Sequence, residues 1–158
     1  MKKSEAMGND LLIPWFARFI AVTQIVGASS SAVIILPAML IAQNSLLSLP
    51  FFVVMYTIFA AAFLSGIWLW NGERRGYKVS MLIQALQIPV LSSALLTYKF
   101  VFGLGIIANL MGGAQPVNFD VGGQSYLVIG NEVPKLQLGI NVWAPIALVY
   151  LWRNVRGR

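Results

Sequence analysis

The chain contains no cysteine and no histidine, and only 10% of its 158 residues are charged. The missing cysteine excludes disulfide bonds and thiol nucleophiles, and the two absences together exclude Cys/His metal sites and the usual proton shuttle at neutral pH. A soluble domain carries roughly 25% charged residues, so this composition points away from that class. Hydrophobic residues make up 58% of the chain, which favours an integral membrane protein.

Groups that carry catalysis are also missing from the apolar stretches. No Asp or Glu lies within any of them, which disfavours proton-coupled transport as well as acid–base chemistry. The Gly-rich segment GGAQPVNFDVGG has neither the spacing nor the lysine of a phosphate-binding loop. We therefore predict that the protein is not an enzyme, has no catalytic residues and uses no metal or cofactor.

Four apolar stretches have lengths that suit membrane-crossing helices. A hydrocarbon core about 30 Å thick requires about 20 apolar residues. The stretches cover residues 14–42, 51–70, 79–102 and 136–152. The sequence thus predicts an all-α membrane protein, a four-transmembrane-helix bundle that forms a single integral membrane domain over residues 1–158. Residues 103–111 either extend the third helix or lie along the interface.

The basic residues gather at the same ends of these stretches. Lys2 and Lys3 precede the first stretch, Arg74, Arg75 and Lys78 separate the second from the third, and three more arginines follow the fourth. The positive-inside rule then places both termini in the cytoplasm of a multi-pass protein in the cell (inner) membrane. The net charge of +6 is explained by this orientation, so we predict no nucleic-acid partner.

The densest charge lies in LWNGERRGYKVS, residues 69–80. Between two apolar stretches, this segment predicts a tight cytoplasmic turn whose cations stay out of the lipid. Arg74, Arg75 and Lys78 are the candidate contact for anionic lipid headgroups. The surrounding GIWLWNGERRGY resembles a pattern widespread among small bacterial four-span membrane proteins, a resemblance that implies no activity.

Four amide side chains form a candidate polar intramembrane site: Gln24, Gln84, Gln87 and Asn141. Gln84 and Gln87 share a helical face with Ser80, and Gln24 lies at a comparable depth in the first stretch. Two interpretations are open. The amides either join neighbouring helices through hydrogen bonds, or they hold a polar ligand or line a path for a solute.

Residues 109–135 form the predicted outer loop. Two β-prone runs flank Gly122 and Gly123, which predicts a small extracytoplasmic β-hairpin between helices three and four. Phe119 and Tyr126 would then face each other across the strands. This aromatic pair is the candidate contact for a partner protein or a second copy; alternatively, the hairpin caps its own helix bundle.

The features together favour a non-catalytic accessory, assembly or scaffold subunit that acts through helix packing and the outer hairpin. Small residues four positions apart, such as Gly27 and Ser31, suit close helix contact. The alternative is a homo-oligomeric channel or carrier for a small solute or ion. Expected partners are membrane lipids and either further copies or other membrane proteins. In a channel the amides would face a wet cavity, and in a packing subunit they would face other helices.

Overall fold

The structure is a computed structural model that describes residues 15–42, 48–93, 96–112, 115–124, 126–129 and 136–156. This part of the chain contains helices and strands in the following order. They are α1 Trp15–Ala42, α2 Ser48–Trp70, α3 Arg74–Leu86, β1 Pro89–Ser92, β2 Leu96–Lys99, β3 Phe102–Met111, β4 Val117–Gly123, β5 Tyr126–Ile129, β6 Gln137–Asn141 and α4 Trp143–Arg156.

Helices α1 and α2 coincide with the first two predicted spans and pack against each other. Gly66 of α2 lies close enough to α1 that a Cβ there would come within 2.9 Å of the Ala21 carbonyl oxygen. The Tyr56 hydroxyl donates a hydrogen bond to the carbonyl oxygen of Ala32 at 3.2 Å. Within the described residues, these are the two helices that are long and apolar enough to cross a membrane.

The predicted four-helix bundle is wrong, because the third and fourth predicted spans are each part helix and part strand. Helix α3 ends at Leu86, and Pro89 begins β1 rather than bending a helix. Proline disfavours the helical conformation in the residue before it and has no N–H to continue the helical ladder. Helices α3 and α4 contain 13 and 14 residues, too few for either to cross a hydrocarbon core alone.

The six strands form one curled antiparallel sheet in the order β4-β3-β6-β1-β2-β5. Strands β2 and β3 follow each other along one extended segment, and β4 and β5 along another. The register between the two segments is unchanged from Leu96↔Ile129 to Ala108↔Val117, and Val101 exchanges two 3.1 Å backbone hydrogen bonds with Gln124 between the halves. We call this bent two-stranded unit the ribbon. Strands β1 and β6 pair with each other and join its two halves.

The predicted outer hairpin is also wrong. The Gly pair at 122–123 lies inside a paired strand, where it is opposite β3 instead of forming a turn. Phe119 is opposite Ile106, whereas Tyr126 is opposite Lys99. Long-range pairing has thus overridden a local turn signal. Residues 103–111, expected as helix or interfacial segment, belong to β3, and residues 130–135 of the predicted loop lie outside the described residues.

The ribbon packs directly on the middle of α1 through glycines. A Cβ on Gly27 would overlap Gly103 N and the backbone of Phe102, and a Cβ on Gly123 would overlap the Gly27 carbonyl oxygen. Gly103 also has a φ of +95°, which a residue with a side chain rarely adopts. The small residues of α1 therefore admit a strand, whereas the sequence predicted contact between helices.

Two buried clusters show that the ribbon runs along α1. Near the beginning of α1 the first cluster contains Ala17, Ile20, Ala21, Leu69, Tyr77, Trp143, Ala147 and Leu151, and Leu104 and Ile106 of β3 pack against it. Further along α1 the second contains Ala28, Met55, Phe59, Ala62, Ile83, Phe100 and Phe102, with Tyr98 of β2 against it. The ribbon thus passes from the second cluster to the first as the chain proceeds from β2 through β3.

Candidate functional site

The four amide residues predicted as a polar intramembrane site are all buried, each with 0% of its surface exposed. Helix α1 contributes Gln24 and α3 contributes Gln84. Gln87 is the C-terminal cap residue of α3, and Asn141 is the last residue of β6. The structure therefore draws the predicted set from a helix pair and a strand end rather than from three membrane-crossing helices.

Hydrogen bonds link α1, α3 and β3 through these amides. The Ser80 hydroxyl donates to Gln24 Oε1 at 2.9 Å, and Gln84 follows Ser80 by one helical turn. At the end of α3, Gln87 Oε1 accepts a 3.0 Å hydrogen bond from the backbone N–H of Phe102. Ser80 and Gln87, two of the three residues predicted to share a face, thus hold α3 against α1 and the ribbon.

Asn141 joins the sheet to α4. Its backbone N–H donates to the Ile88 carbonyl oxygen at 2.9 Å. Its side-chain Oδ1 accepts hydrogen bonds from the backbone N–H groups of Ile106 and Trp143, both at 3.2 Å. A side-chain oxygen that accepts from the first N–H groups of a helix stabilises its beginning, which explains why α4 begins two residues later, at Trp143.

The four amide side chains offer more hydrogen-bond donors than the described residues use. Backbone N–H groups can only donate, so their contacts identify the oxygen of Gln87 and of Asn141, and the remaining Nε2 and Nδ2 atoms are donors. Among the described residues these two nitrogens have no hydrogen-bond partner. The same is true of Gln24 Nε2 and of Nε2 and Oε1 of Gln84. Such a neutral set can bind a carbonyl oxygen or water, and it cannot perform acid–base chemistry.

Gln84 and Gln87 provide a matched pair that separates structural from binding roles. We expect Gln87→Met to lower the free energy of unfolding by about 1–3 kcal/mol, because the buried N–H of Phe102 loses its acceptor. Gln84→Met removes a side chain with no partner among the described residues and should leave the stability unchanged or raised. Unfolding in mixed micelles titrated with sodium dodecyl sulfate, followed by tryptophan fluorescence, measures both; equal losses would contradict this assignment.

The predicted lipid-contact residues Arg74, Arg75 and Lys78 lie at the beginning of α3 and are exposed. Arg75 Nε forms an ion pair with Glu73 Oε2 at 2.6 Å. Its guanidinium lies 4.3 Å from the centre of the Trp68 ring. Arg75, one of the three cations, is therefore already paired with Glu73 and Trp68 of the same connection. The contact with anionic lipid stays a prediction.

Arginine and tryptophan side chains meet at one end of the α1–α2 pair. Besides Arg75 and Trp68, Arg18 lies 5.5 Å from the Trp70 ring centre and Arg156 lies 3.8 Å from that of Trp152. We call these six residues the Arg/Trp collar. Helix α4 joins this end through Phe16, whose ring centre is 4.6 Å from that of Tyr150. Tryptophan and arginine are typical of the boundary between lipid and water.

The predicted aromatic contact pair is not assembled. Phe119 is 73% exposed on β4, while the side chain of Tyr126 lies outside the described residues. The structure instead places Lys99 and Asp120 together, with Nζ and Oδ2 2.7 Å apart and side chains only 13% and 11% exposed. The sequence did not predict this ion pair. In the ribbon Lys99 is opposite Tyr126 and Asp120 is opposite Gly105, so the bend of the ribbon, and not its register, brings the two side chains together.

No protein-family model matches the chain, and searches of curated proteins and of solved structures found no match either. The functional interpretation therefore depends on the residues and contacts described above.

Proposed function

We propose that the protein is a membrane-embedded, non-catalytic accessory or scaffold subunit that is anchored by α1 and α2 and acts by contact with other membrane proteins. The observation that carries this proposal is the apolar exposed surface of both helices. On α1 it includes Phe19, Val22, Val26, Val33 and Ile34, and on α2 Val53, Val54, Phe63 and Leu64. Soluble monomers rarely expose contiguous apolar surface on this scale, whereas lipid and membrane helices accept it.

The burial of the amide residues supports contact rather than conduction. Gln24 bonds to Ser80, and Gln87 and Asn141 bond to the backbone of the ribbon. These side chains hold the chain's own elements together and do not face a surface from which copies of the chain could build a channel. Intramembrane amides commonly serve as such links between segments.

The Arg/Trp collar supports an orientation. It lies where α1 begins and α2 ends, and the basic residues Arg74 and Lys78 follow directly. Under the positive-inside rule this end faces the cytoplasm of the cell (inner) membrane. A multi-pass protein with two crossing helices would then have the beginning of α1 and the end of α4 on that side. Lys2 and Lys3, which contribute to the same orientation, lie outside the described residues.

Because the chain contains no cysteine, single cysteines can report the sidedness of each connection. Glu73→Cys marks the turn between α2 and α3, and Ser45→Cys marks the link between α1 and α2. We expect a membrane-impermeant maleimide to label Glu73→Cys only from the cytoplasmic side and Ser45→Cys only from the opposite side. Intact spheroplasts and inverted membrane vesicles provide the two directions of access.

Detergent-solubilised samples, in which both cysteines should react, control for the intrinsic reactivity of each position. Labelling of both cysteines from one side in intact membranes would show that α2, which lies between them, does not cross, and the proposed anchoring by two crossing helices would fall. Reversed sidedness would overturn the orientation and leave the crossing in place. Recovery of the chain in the soluble fraction would also contradict membrane anchoring.

A further inference from the structure

On strands β4 and β6 the inward and outward polarity is the reverse of that in a soluble sheet. On β4, Val117, Phe119 and Val121 point outward and are 42%, 73% and 80% exposed, while Asp120 between them is 8% exposed. The same alternation occurs on β6, where Leu138 and Ile140 are exposed and the intervening and following residues, Gly139 and Asn141, are buried. Strands of soluble sheets place apolar residues inward, whereas membrane strands place them outward and polar residues inward.

The ribbon lies beside the middle of a helix long enough to cross a membrane. Gly122 is close to Ser30 of α1, with 3.9 Å between a Cβ placed on this glycine and Ser30 Oγ. The backbones of β3 and β4 both touch α1 at Gly27. This residue lies near the centre of the apolar stretch Trp15–Pro37. Whatever surrounds the middle of α1 therefore also surrounds this part of the ribbon.

The length and charge placement of the ribbon suit the same surroundings. A tilted strand of about 9–11 residues crosses a hydrocarbon core, and β3 alone has 10 residues. The charges of Lys99 and Asp120 are paired at 2.7 Å on the side away from Phe119. Ionisable groups within membranes face the protein interior and pair with each other in this way.

We propose that the ribbon lies within the bilayer beside α1, with Val117, Phe119 and Val121 in contact with lipid acyl chains. The inference rests on the proposed function in one respect, since it takes α1 as a membrane-crossing helix. It goes beyond that function because it makes β-structure, in addition to the two helices, part of the surface that meets lipid. Asp120 and Lys99 then form an ion pair shielded from lipid by the strands themselves.

The test is the accessibility of nitroxide spin labels on single cysteines in the full chain, reconstituted in phosphatidylcholine–phosphatidylglycerol vesicles. Oxygen concentrates in hydrocarbon, whereas nickel(II) ethylenediaminediacetate remains in water. Labels at Phe119→Cys and Val121→Cys are compared with Val26→Cys on the exposed face of α1 and Glu73→Cys in the α2–α3 turn. We expect the oxygen-to-nickel collision ratio at Val121 to match that at Val26 and to exceed that at Glu73 by about tenfold, because a polar complex partitions poorly into hydrocarbon.

Three results would overturn the inference. Free access of nickel at both β4 positions with a shielded Val26 would place the sheet in water while leaving the helical anchor intact. Nickel access at Val26 as well would overturn the anchor together with the inference. Low collision rates with both reagents at Phe119 and Val121 would mean that a protein surface, such as a second copy of the chain, covers β4 in place of lipid. Two separate label positions protect the test against a local disturbance at one of them.

Discussion

Replacement of Asp120 by alanine is expected to lower the free energy of unfolding by about 3–5 kcal/mol, the loss typical of breaking a buried ion pair from one side. The Lys99 ammonium would remain in a site where its side chain is only 13% exposed. The ammonium also donates a hydrogen bond to the neutral Gln124 Oε1 at 3.0 Å. The measurement is unfolding in mixed micelles titrated with sodium dodecyl sulfate.

A double replacement distinguishes the charge effect from damage to the strand. Lys99→Met combined with Asp120→Leu removes both charges, and such apolar exchanges of buried pairs are often neutral or stabilising. We expect the double variant to recover most of the stability that Asp120→Ala loses. Glu73→Ala is the exposed counterpart, since it breaks the Arg75 ion pair at 60% and 35% exposure, and it should cost no more than about 1 kcal/mol. Equal losses for Asp120→Ala and Glu73→Ala would refute the buried pair.

The second large effect is expected at Gly27, where α1 and the ribbon touch. In an ordinary helix, Gly→Ala is stabilising by up to about 1 kcal/mol. Here the added methyl group would overlap Gly103 N and lie 2.6 Å from the Cα of Phe102. Because backbone atoms cannot rotate out of the way, we expect Gly27→Ala to lower the free energy of unfolding by about 1–3 kcal/mol.

Ser29→Ala is the control on the same helix, because Ser29 is exposed and its hydroxyl bonds only within α1, to the Ile25 carbonyl oxygen at 2.8 Å. It should leave the stability within about 0.5 kcal/mol of the parent. The same micelle titration applies to both variants. A stabilising Gly27→Ala would show that α1 and the ribbon are not in close contact.

The sequence predicted α1 and α2 because these depend on local composition. Both contain largely apolar stretches, of 23 and 22 residues, that are long enough to cross a membrane. The sequence groups Gln24, Gln84, Gln87 and Asn141 by helical face and depth, and the structure buries all four. A buried amide needs a partner whether that partner is a helix or a strand, so their burial does not depend on the four-helix fold, and the polar site itself stays a prediction.

The third and fourth predicted spans failed because apolar composition carries no information about backbone geometry when periodicity is weak. Residues 79–102 are apolar throughout most of their length, yet the helix ends before Pro89 and a strand follows. The strand PVLS has no alternation that would distinguish it from a helix. Likewise, Lys99 is opposite Tyr126 and Asp120 is opposite Gly105 in the register of the ribbon. Their ion pair therefore depends on the bend of the ribbon, which no local spacing reveals.

The strand order has a consequence for self-association. The two edge strands of the sheet, β4 and β5, are consecutive parts of one segment, and the same side of that segment is bonded to β2 and β3 throughout. Within the described strands the sheet therefore presents one continuous edge, which touches α1 at Gly123, whereas an ordinary open sheet presents two opposite edges. Backbone groups of this edge that lie in the bilayer need a partner, because hydrocarbon cannot form hydrogen bonds. A sheet with two free edges can add strands without limit and grow into fibres. With one edge, pairing of two molecules uses up the available backbone groups, so edge-to-edge growth would stop at the dimer.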